Sequence, residues 1–218
     1  MAHVLSVNAG TARPIAAKSG RSGIDKRPVE GPVAISAPGA GRSGVAGDEI
    51  CDTEHHGGAD QAVYAYARED LDGWERELGT RLPSGAFGEN LTTSGLDVCG
   101  ARVGERWRIG ADLLLQVTDP RTPCKTFAAW MERQGWVKTF TRRALPGAYL
   151  RVLEAGTIRA GDPVVVEHRP DHEVTVAMVF QALTLRPELL PGLLAADDLT
   201  ADVRARVLRR VPVELDPA

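Results

Sequence analysis

Short runs of alternating apolar and polar residues, separated by glycine and proline, constrain the fold of this chain most strongly. The chain of 218 residues contains 23 glycines and 14 prolines. In the run 61–66, Val63 and Ala65 share one face of a strand, and Tyr64 and Tyr66 share the other. Such runs predict strands over 3–7, 32–35, 61–66, 106–109, 113–117, 149–154 and 163–167. The pattern is typical of a bent sheet or β-barrel-like domain with attached helices, so the predicted class is mainly β with α.

Helical spacing begins where the run 61–66 ends. Over 68–78, Leu71, Trp74 and Leu78 lie on one stripe, and Gly79 is a suitable residue to end the helix. Residues 125–134 also follow a helical pattern. We therefore expect two helices within the β-rich part of the chain.

The tail of the chain has a different pattern. Three short helices are predicted over 174–185, 187–195 and 200–211. Thr200 is a suitable N-cap for the last helix, and its buried face would contain Leu199, Val203 and Val207. We therefore predict a domain over 1–168 and a small C-terminal three-helix subdomain over 173–212, whose surface is a candidate homodimer contact.

Charge and hydropathy exclude several classes of protein. Hydrophobic residues make up 43% of the chain, which suffices for an ordinary core, and the formal net charge is -3. A binder of nucleic-acid polymers or membrane surfaces would need a basic footprint. No apolar stretch approaches the roughly 18 residues of a membrane span, and residues 1–11 lack the features of a secretory leader. The three cysteines are too few and too widely spaced for a disulfide framework, so we expect a cytoplasmic protein.

The run 119–125, with the sequence DPRTPCK, is the sharpest chemical feature. Cys124 lies where a strand ends and a helix is predicted to begin, and Arg121 and Lys125 add positive charge nearby. Helix N-termini and cations both favour the thiolate, which attacks electrophiles and binds soft metals. The alternative is a small buried hydrophobic residue, as many cysteines without a disulfide are, and the run by itself leaves the two interpretations balanced.

Three other runs contain polar residues that could bind a ligand or take part in catalysis. Adjacent histidines such as His55 and His56 face opposite sides of an extended chain, so a zinc site is not expected, and the glycines that follow suit a simple turn. Asn90, Thr92 and Thr93 can donate and accept hydrogen bonds, although by themselves they favour an ordinary loop that enters a strand. Lys26 and Arg27 suit a phosphate, and solvated surface charge is the alternative.

Taken in order along the chain, these runs resemble the MOSC-domain family, and within it the YiiM-like branch. The resemblance extends from about residue 6 to residue 166, and the helical tail resembles the appendage of that branch. Each run alone is weak, but five in the same order are specific. They are KRPVEGPV (26–33), GD (47–48) with HHGG (55–58), AVYAY (62–66), GENLTT (88–93) and PRTPC (120–124).

The resemblance implies a β-rich domain that binds the molybdenum cofactor, with Cys124 as the protein ligand to molybdenum. Lys26, Arg121 and Lys125 are then expected to neutralise the cofactor phosphate. The pterin is expected to contact Asn90, Thr92 and Thr93, and His55 or His56 is expected to supply protons. One departure is Gln61, where this branch commonly has lysine. At family level the resemblance also allows pyridoxal phosphate binding.

The implied activity is reduction of N-hydroxylated compounds, such as hydroxylaminopurines and amidoximes. No glycine-rich dinucleotide motif follows a strand, so electrons are expected from a separate flavoprotein or ferredoxin-like protein. A second hypothesis is a sulfur or cofactor carrier in which Cys124 bears a persulfide and no small molecule is turned over. A third is a non-catalytic sheet domain that contacts other proteins through its helical tail.

Overall fold

An eight-stranded mixed sheet forms the centre of the computed structural model, which describes residues 1–16, 20–52 and 56–215. Most predicted strands are present within two residues of their expected ends. The strands are β1 (His3–Ala9), β2 (Arg13–Pro14), β3 (Arg21–Ser22), β4 (Arg27–Pro28), β5 (Val33–Ile35), β6 (Val63–Ala67), β7 (Leu91–Ser94), β8 (Arg106–Ile109), β9 (Leu113–Pro120), β10 (Ala148–Glu154), β11 (Gly156–Ile158) and β12 (Val164–His168).

The large sheet has the strand order β12-β8-β9-β10-β6-β7-β1-β4. The pair β6 and β7 is parallel, whereas the other neighbours run antiparallel. An isolated bridge between His3 and Pro163 joins β1 to the start of β12, and Val4 N donates to Asp162 O at 2.9 Å. The sheet therefore curls back on itself without forming a closed barrel. The predicted class, mainly β with attached helices, is confirmed.

The two faces of β6 pack against different clusters. Val63 and Ala65 belong to an aliphatic core inside the curled sheet, and Tyr64 and Tyr66 belong to an aromatic cluster on the other face. This division follows from the two-residue period of a strand. Because β6 is buried on both faces, it separates the interior of the sheet from the side that carries the helices.

The helices partly follow the sequence prediction. They are α1 (Arg68–Leu78), α2 (Lys125–Met131), α3 (Trp136–Arg143), α4 (Val176–Thr184) and α5 (Ala201–Arg209). The α1 bounds and its cap at Gly79 are confirmed. The prediction for 125–134 was too long, because Glu132 adopts a left-handed conformation (φ 50°) that ends α2. Helix α3 was not predicted, and it buries Trp136 and Phe140 against the aromatic cluster.

The tail contains α4, a 3₁₀ helix (Pro187–Ala195) and α5. The Thr200 side chain caps α5 by accepting from Val203 N, as predicted. The helix predicted over 187–195 is present with these bounds, as a 3₁₀ helix with Pro191 inside it. Val176 and Phe180 of α4 pack into the two clusters of the β-rich part. The division between 168 and 173 stays a prediction. None of the helices in the described parts of the chain could span a membrane.

Candidate functional site

A cavity of about 720 Å³ opens beside β6, next to the segment that links β9 to α2. Several segments that are far apart in sequence meet here. The polar residues in its wall include Lys26, Asp48, His56, Gln61, Asn90, Arg121, Cys124 and Tyr149.

Cys124 contributes its thiol to this cavity from the N-cap position of α2. The Sγ atom lies 3.8 Å from Nε2 of His56. Burial acts to raise the pKa of the thiol, but His56, the positive charge of Arg121 and the N–H of Phe127 act against it and lower the pKa to about 7. A substantial fraction of Cys124 is therefore thiolate at neutral pH. The prediction of an activated cysteine is supported, with His56 as a partner that the local sequence did not show.

Arg121 is the buried cation of the cavity. Its side chain stacks on two rings, with Cζ 4.2 Å from the centroid of Phe127 and 5.2 Å from that of Tyr64. One terminal nitrogen donates to Phe87 O. The Nε atom is buried and has no hydrogen-bond partner among the residues that the structure describes. A buried donor without a partner is costly, so this atom indicates a place for an anionic group.

Asp48 holds three other parts of the wall together. Its carboxylate forms an ion pair with Lys26 and accepts from Ser43 Oγ at 2.7 Å and from Asn90 Nδ2 at 3.0 Å. Gly10 N also donates to it, at 2.9 Å. Burial lowers the pKa of Lys26, and Asp48 opposes that effect. Lys26 therefore lies in the cavity as predicted, but its charge is largely compensated by a carboxylate that the sequence analysis gave no role.

A turn built on glycine positions His56 and Gln61. Gly57 has φ +92°, a conformation that side chains with a Cβ rarely adopt, and its N–H donates to Gln61 Oε1 at 3.2 Å. The following 3₁₀ helix (Ala59–Gln61) is anchored by Asp60, which accepts from Arg151 Nε at 2.8 Å. Gln61, the departure from the family pattern, therefore faces the cavity where a lysine was expected.

The remaining predicted site residues lie outside the cavity wall or outside the described residues. His55 lies outside the described residues. Thr92 is fully buried, and its hydroxyl donates to Glu89 Oε1 and accepts from Asn8 Nδ2. Thr93 is fully buried on the same strand, and Lys125 is exposed on α2. The geometry gives these last three residues no place in the lining of the cavity, so it offers no support for their assignment to cofactor binding.

Asn90 does line the cavity, but its amide already has protein partners. Oδ1 accepts from Tyr64 N at 3.1 Å, and Nδ2 donates to Asp48 and to Asn8 O. Its role in the described structure is to fix neighbouring segments. Arg27, which together with Lys26 was a candidate for binding a phosphate, is exposed and paired with Asp25.

Sequence reasoning assigned no role to Asp48 and Tyr149, although Asp48 belongs to a run quoted for the resemblance. Asp48 follows Gly47 in a loop, and Tyr149 begins a predicted strand. The signal that could have found Tyr149 is its position at the start of a predicted strand, two residues after Gly147. For Asp48 the partners come from distant segments, so its role depends on the fold.

Residues 52–165, just over half of the chain, match the MOSC domain. The chain belongs to the MOSC-domain family. It is 33% identical over 175 residues to the uncharacterized protein YflK of Bacillus subtilis, covering 79% of this chain and 76% of YflK. It is also 32% identical over 136 residues to YiiM of Escherichia coli, covering 61% of this chain and 60% of YiiM.

The fold agrees with this assignment. The structure resembles that of YiiM from Geobacillus stearothermophilus with a TM-score of 0.78 and 27% identity, covering 97% of this chain and all of the other. The chain is thus a YiiM-like member of the family. A protein named Reductase from Gibberella moniliformis is 31% identical over 88% of this chain, which spans only 34% of that longer protein. MOSC domains are generally associated with molybdenum cofactor binding.

Proposed function

We propose that this protein is a molybdenum-cofactor-dependent reductase of N-hydroxylated compounds. The observation that carries the proposal is the Cys124 thiol with a lowered pKa, in a cavity whose wall also contains the buried Arg121. A thiolate suits a soft metal centre, and the unpartnered Nε of Arg121 suits an anion. The residues present therefore fit the cofactor that is associated with this family.

In this proposal Cys124 is the protein ligand to molybdenum and Arg121 binds the phosphate. When bound, the cofactor supplies the two-electron redox chemistry and the site for oxygen removal. Asp48 and Asn90 hold the wall in place through their hydrogen bond. Lys26 contributes the part of its positive charge that the ion pair with Asp48 does not neutralise. The stacking of Arg121 between two rings orients its guanidinium before the anion arrives, which lowers the cost of binding.

The overall reaction takes a hydroxylamine-type group, two electrons and two protons, and gives an amine and water. The N–O bond breaks, one new N–H bond forms, and the oxygen leaves as water. His56 lies in the cavity wall, and its imidazole is the proposed proton donor as the N–O bond breaks. The electrons come from a separate flavoprotein or ferredoxin-like protein in the cytoplasm, where the thiol stays reduced.

The test is to express the protein in a host that makes the cofactor and to measure molybdenum per chain together with reduction of benzamidoxime. We expect near-stoichiometric molybdenum and turnover with an artificial electron donor. Cys124→Ala should lose both, because the metal loses its protein ligand. The matched control is Cys99→Ala, because Cys99 is buried beside Asp70 and does not line the cavity. Full molybdenum and turnover in Cys124→Ala would refute the ligand assignment.

A second candidate function is a sulfur carrier with a persulfide on Cys124. The contact of His56 Nε2 with Cys124 Sγ favours it, since an adjacent imidazole activates thiolates for sulfur chemistry. Mass spectrometry of the purified protein separates the two functions. A persulfide on Cys124 in protein without molybdenum or reductase activity would support the carrier.

A further inference from the structure

The chain has three tyrosines, and their hydroxyl groups differ in how they are used. Tyr64 donates to Pro146 O at 2.7 Å, and Tyr66 donates to Leu145 O at 2.7 Å while accepting from Trp74 Nε1 at 2.9 Å. The Tyr149 hydroxyl has no hydrogen-bond partner among the residues that the structure describes; the hydrogen bond that Tyr149 does make, from Thr118 Oγ1, is to its backbone carbonyl. Tyrosine hydroxyls in packed surroundings usually find a partner.

The position of Tyr149 explains why its hydroxyl is available to a ligand. The residue is partly exposed and lines the same cavity as Cys124 and Arg121. It sits on β10 directly opposite Tyr64 of β6, and the two ring centroids are 5.2 Å apart. The Tyr149 ring therefore packs against Tyr64, and part of the Tyr149 surface faces the cavity.

Gly147 is part of this arrangement. It has φ +68°, and a Cβ there would lie 2.6 Å from Ala65 O and 2.8 Å from Cε2 of Tyr64. Only glycine allows β10 to approach β6 so closely at this point. The backbone two residues before Tyr149 is thereby fixed, so the phenol is a rigid feature of the wall.

The surroundings of the Tyr149 hydroxyl favour its neutral, protonated form, which can donate a hydrogen bond. Burial raises the pKa of the phenol above its ordinary value near 10, so the hydroxyl keeps its proton at neutral pH. Arg121 and Cys124 are both close enough to act on it, with opposite effects. If Cys124 holds the metal as proposed, the protonated phenol in the same cavity wall would be a hydrogen-bond donor for an oxygen atom of the substrate.

We propose that Tyr149 is a catalytic residue whose hydroxyl donates a hydrogen bond to the oxygen of the substrate N–O group beside Cys124. This inference rests on the proposed reductase function. The oxygen gains negative charge as the N–O bond breaks, so the hydrogen bond strengthens towards the transition state. The donor therefore selects N-oxygenated compounds over their reduced products and contributes to turnover.

The experiment compares Tyr149→Phe with the wild-type protein and with Tyr66→Phe as a matched control. Tyr66 is fully buried, does not line the cavity and loses the same hydroxyl atom. Molybdenum content is measured first, followed by steady-state reduction of benzamidoxime. Calorimetry with the oxidised protein then gives dissociation constants for benzamidoxime and for benzamidine, the product that lacks the oxygen.

For Tyr149→Phe we expect unchanged molybdenum content and a roughly 10- to 100-fold lower kcat/KM. Benzamidoxime should bind more weakly by roughly 3- to 10-fold, and benzamidine should bind as in the wild-type protein. Tyr66→Phe should reduce thermal stability and leave the kinetics of the folded protein unchanged.

The outcomes separate this inference from the function on which it rests. Equal kinetics and equal discrimination between benzamidoxime and benzamidine in Tyr149→Phe would overturn the role of Tyr149 and leave the reductase standing. A wild-type protein that is fully loaded with molybdenum and reduces no N-hydroxylated compound would overturn both.

Discussion

Arg121 is a buried cation in the wall of the cavity. It is 5% exposed, lies between the rings of Phe127 and Tyr64, and keeps one buried donor without a protein partner in the described structure. Burial acts to lower the pKa of its guanidinium, and the neighbouring tyrosines and Cys124 raise it. The charge is therefore permanent, and an anion that pairs with it is screened little by solvent.

Loss of Arg121 should reduce cofactor retention more than loss of Lys125. Arg121→Ala removes a buried, oriented cation, whereas Lys125→Ala removes an exposed one on α2. We expect Arg121→Ala to retain less than about a tenth of the wild-type molybdenum, since a buried charged hydrogen bond contributes roughly 1.5–3 kcal/mol. Lys125→Ala should retain nearly all of it. Elemental analysis after purification measures the difference, and the reverse order would contradict the phosphate-binding role of Arg121.

At the scale of elements, β9 connects the candidate site to the tail. Its residue Asp119 accepts from the Thr200 hydroxyl at 3.0 Å, and Thr200 is the N-cap of α5. Five residues further on, the same segment reaches Cys124. The helical tail is therefore attached to the strand that positions the reactive thiol.

Because Asp119 is partly buried at its contact with Thr200, we expect the stability of the folded protein to depend on pH. Burial, with help from Asp60 and Asp202, raises the pKa of Asp119 to about 7, against the opposing effects of Thr200 and Arg151. An unfolded aspartate has a pKa near 3.9, so the folded state binds more protons from about pH 4 to about pH 7. The stability from this group is full at low pH and is lost as the pH rises through 7.

Asp119→Asn should remove this dependence, because the amide oxygen still accepts from Thr200 and carries no charge. The melting temperature of the variant should match that of the wild type near pH 4, exceed it increasingly as the pH rises, and lie a few degrees above it at pH 8. Scanning calorimetry of both proteins across this range makes the comparison. A variant that melts below the wild type at pH 8 would show that the ionised Asp119 carboxylate stabilises the folded state, which contradicts a raised pKa.

At the scale of the whole molecule, the proposed activity predicts a cellular phenotype. Cells without this protein should become sensitive to hydroxylaminopurine, because the N-hydroxylated base is no longer reduced. The wild-type chain and Cys99→Ala should restore resistance, and Cys124→Ala should not. Survival curves at graded doses measure this. Equal rescue by Cys124→Ala would contradict the ligand assignment in the cell.

Local patterns were sufficient for many elements of the fold. The α1 bounds and the two faces of β6 follow from short-range periodicity and a glycine cap. The helix α3 was missed, although Gly135 precedes it and Trp136 and Phe140 have helical spacing. Its stability comes from packing in the aromatic cluster, which a local pattern does not record.

By itself, the sequence determined the β-rich class and the family resemblance, and it identified Cys124 as a candidate reactive residue, because each depends on neighbouring residues along the chain. Only the tertiary structure decided which polar groups meet that thiol. It placed His56 beside Cys124, paired Lys26 with Asp48, and moved Thr92 into the core. Such contacts join segments that are far apart in sequence, and their energies depend on burial and on partners that exist only after the chain has folded.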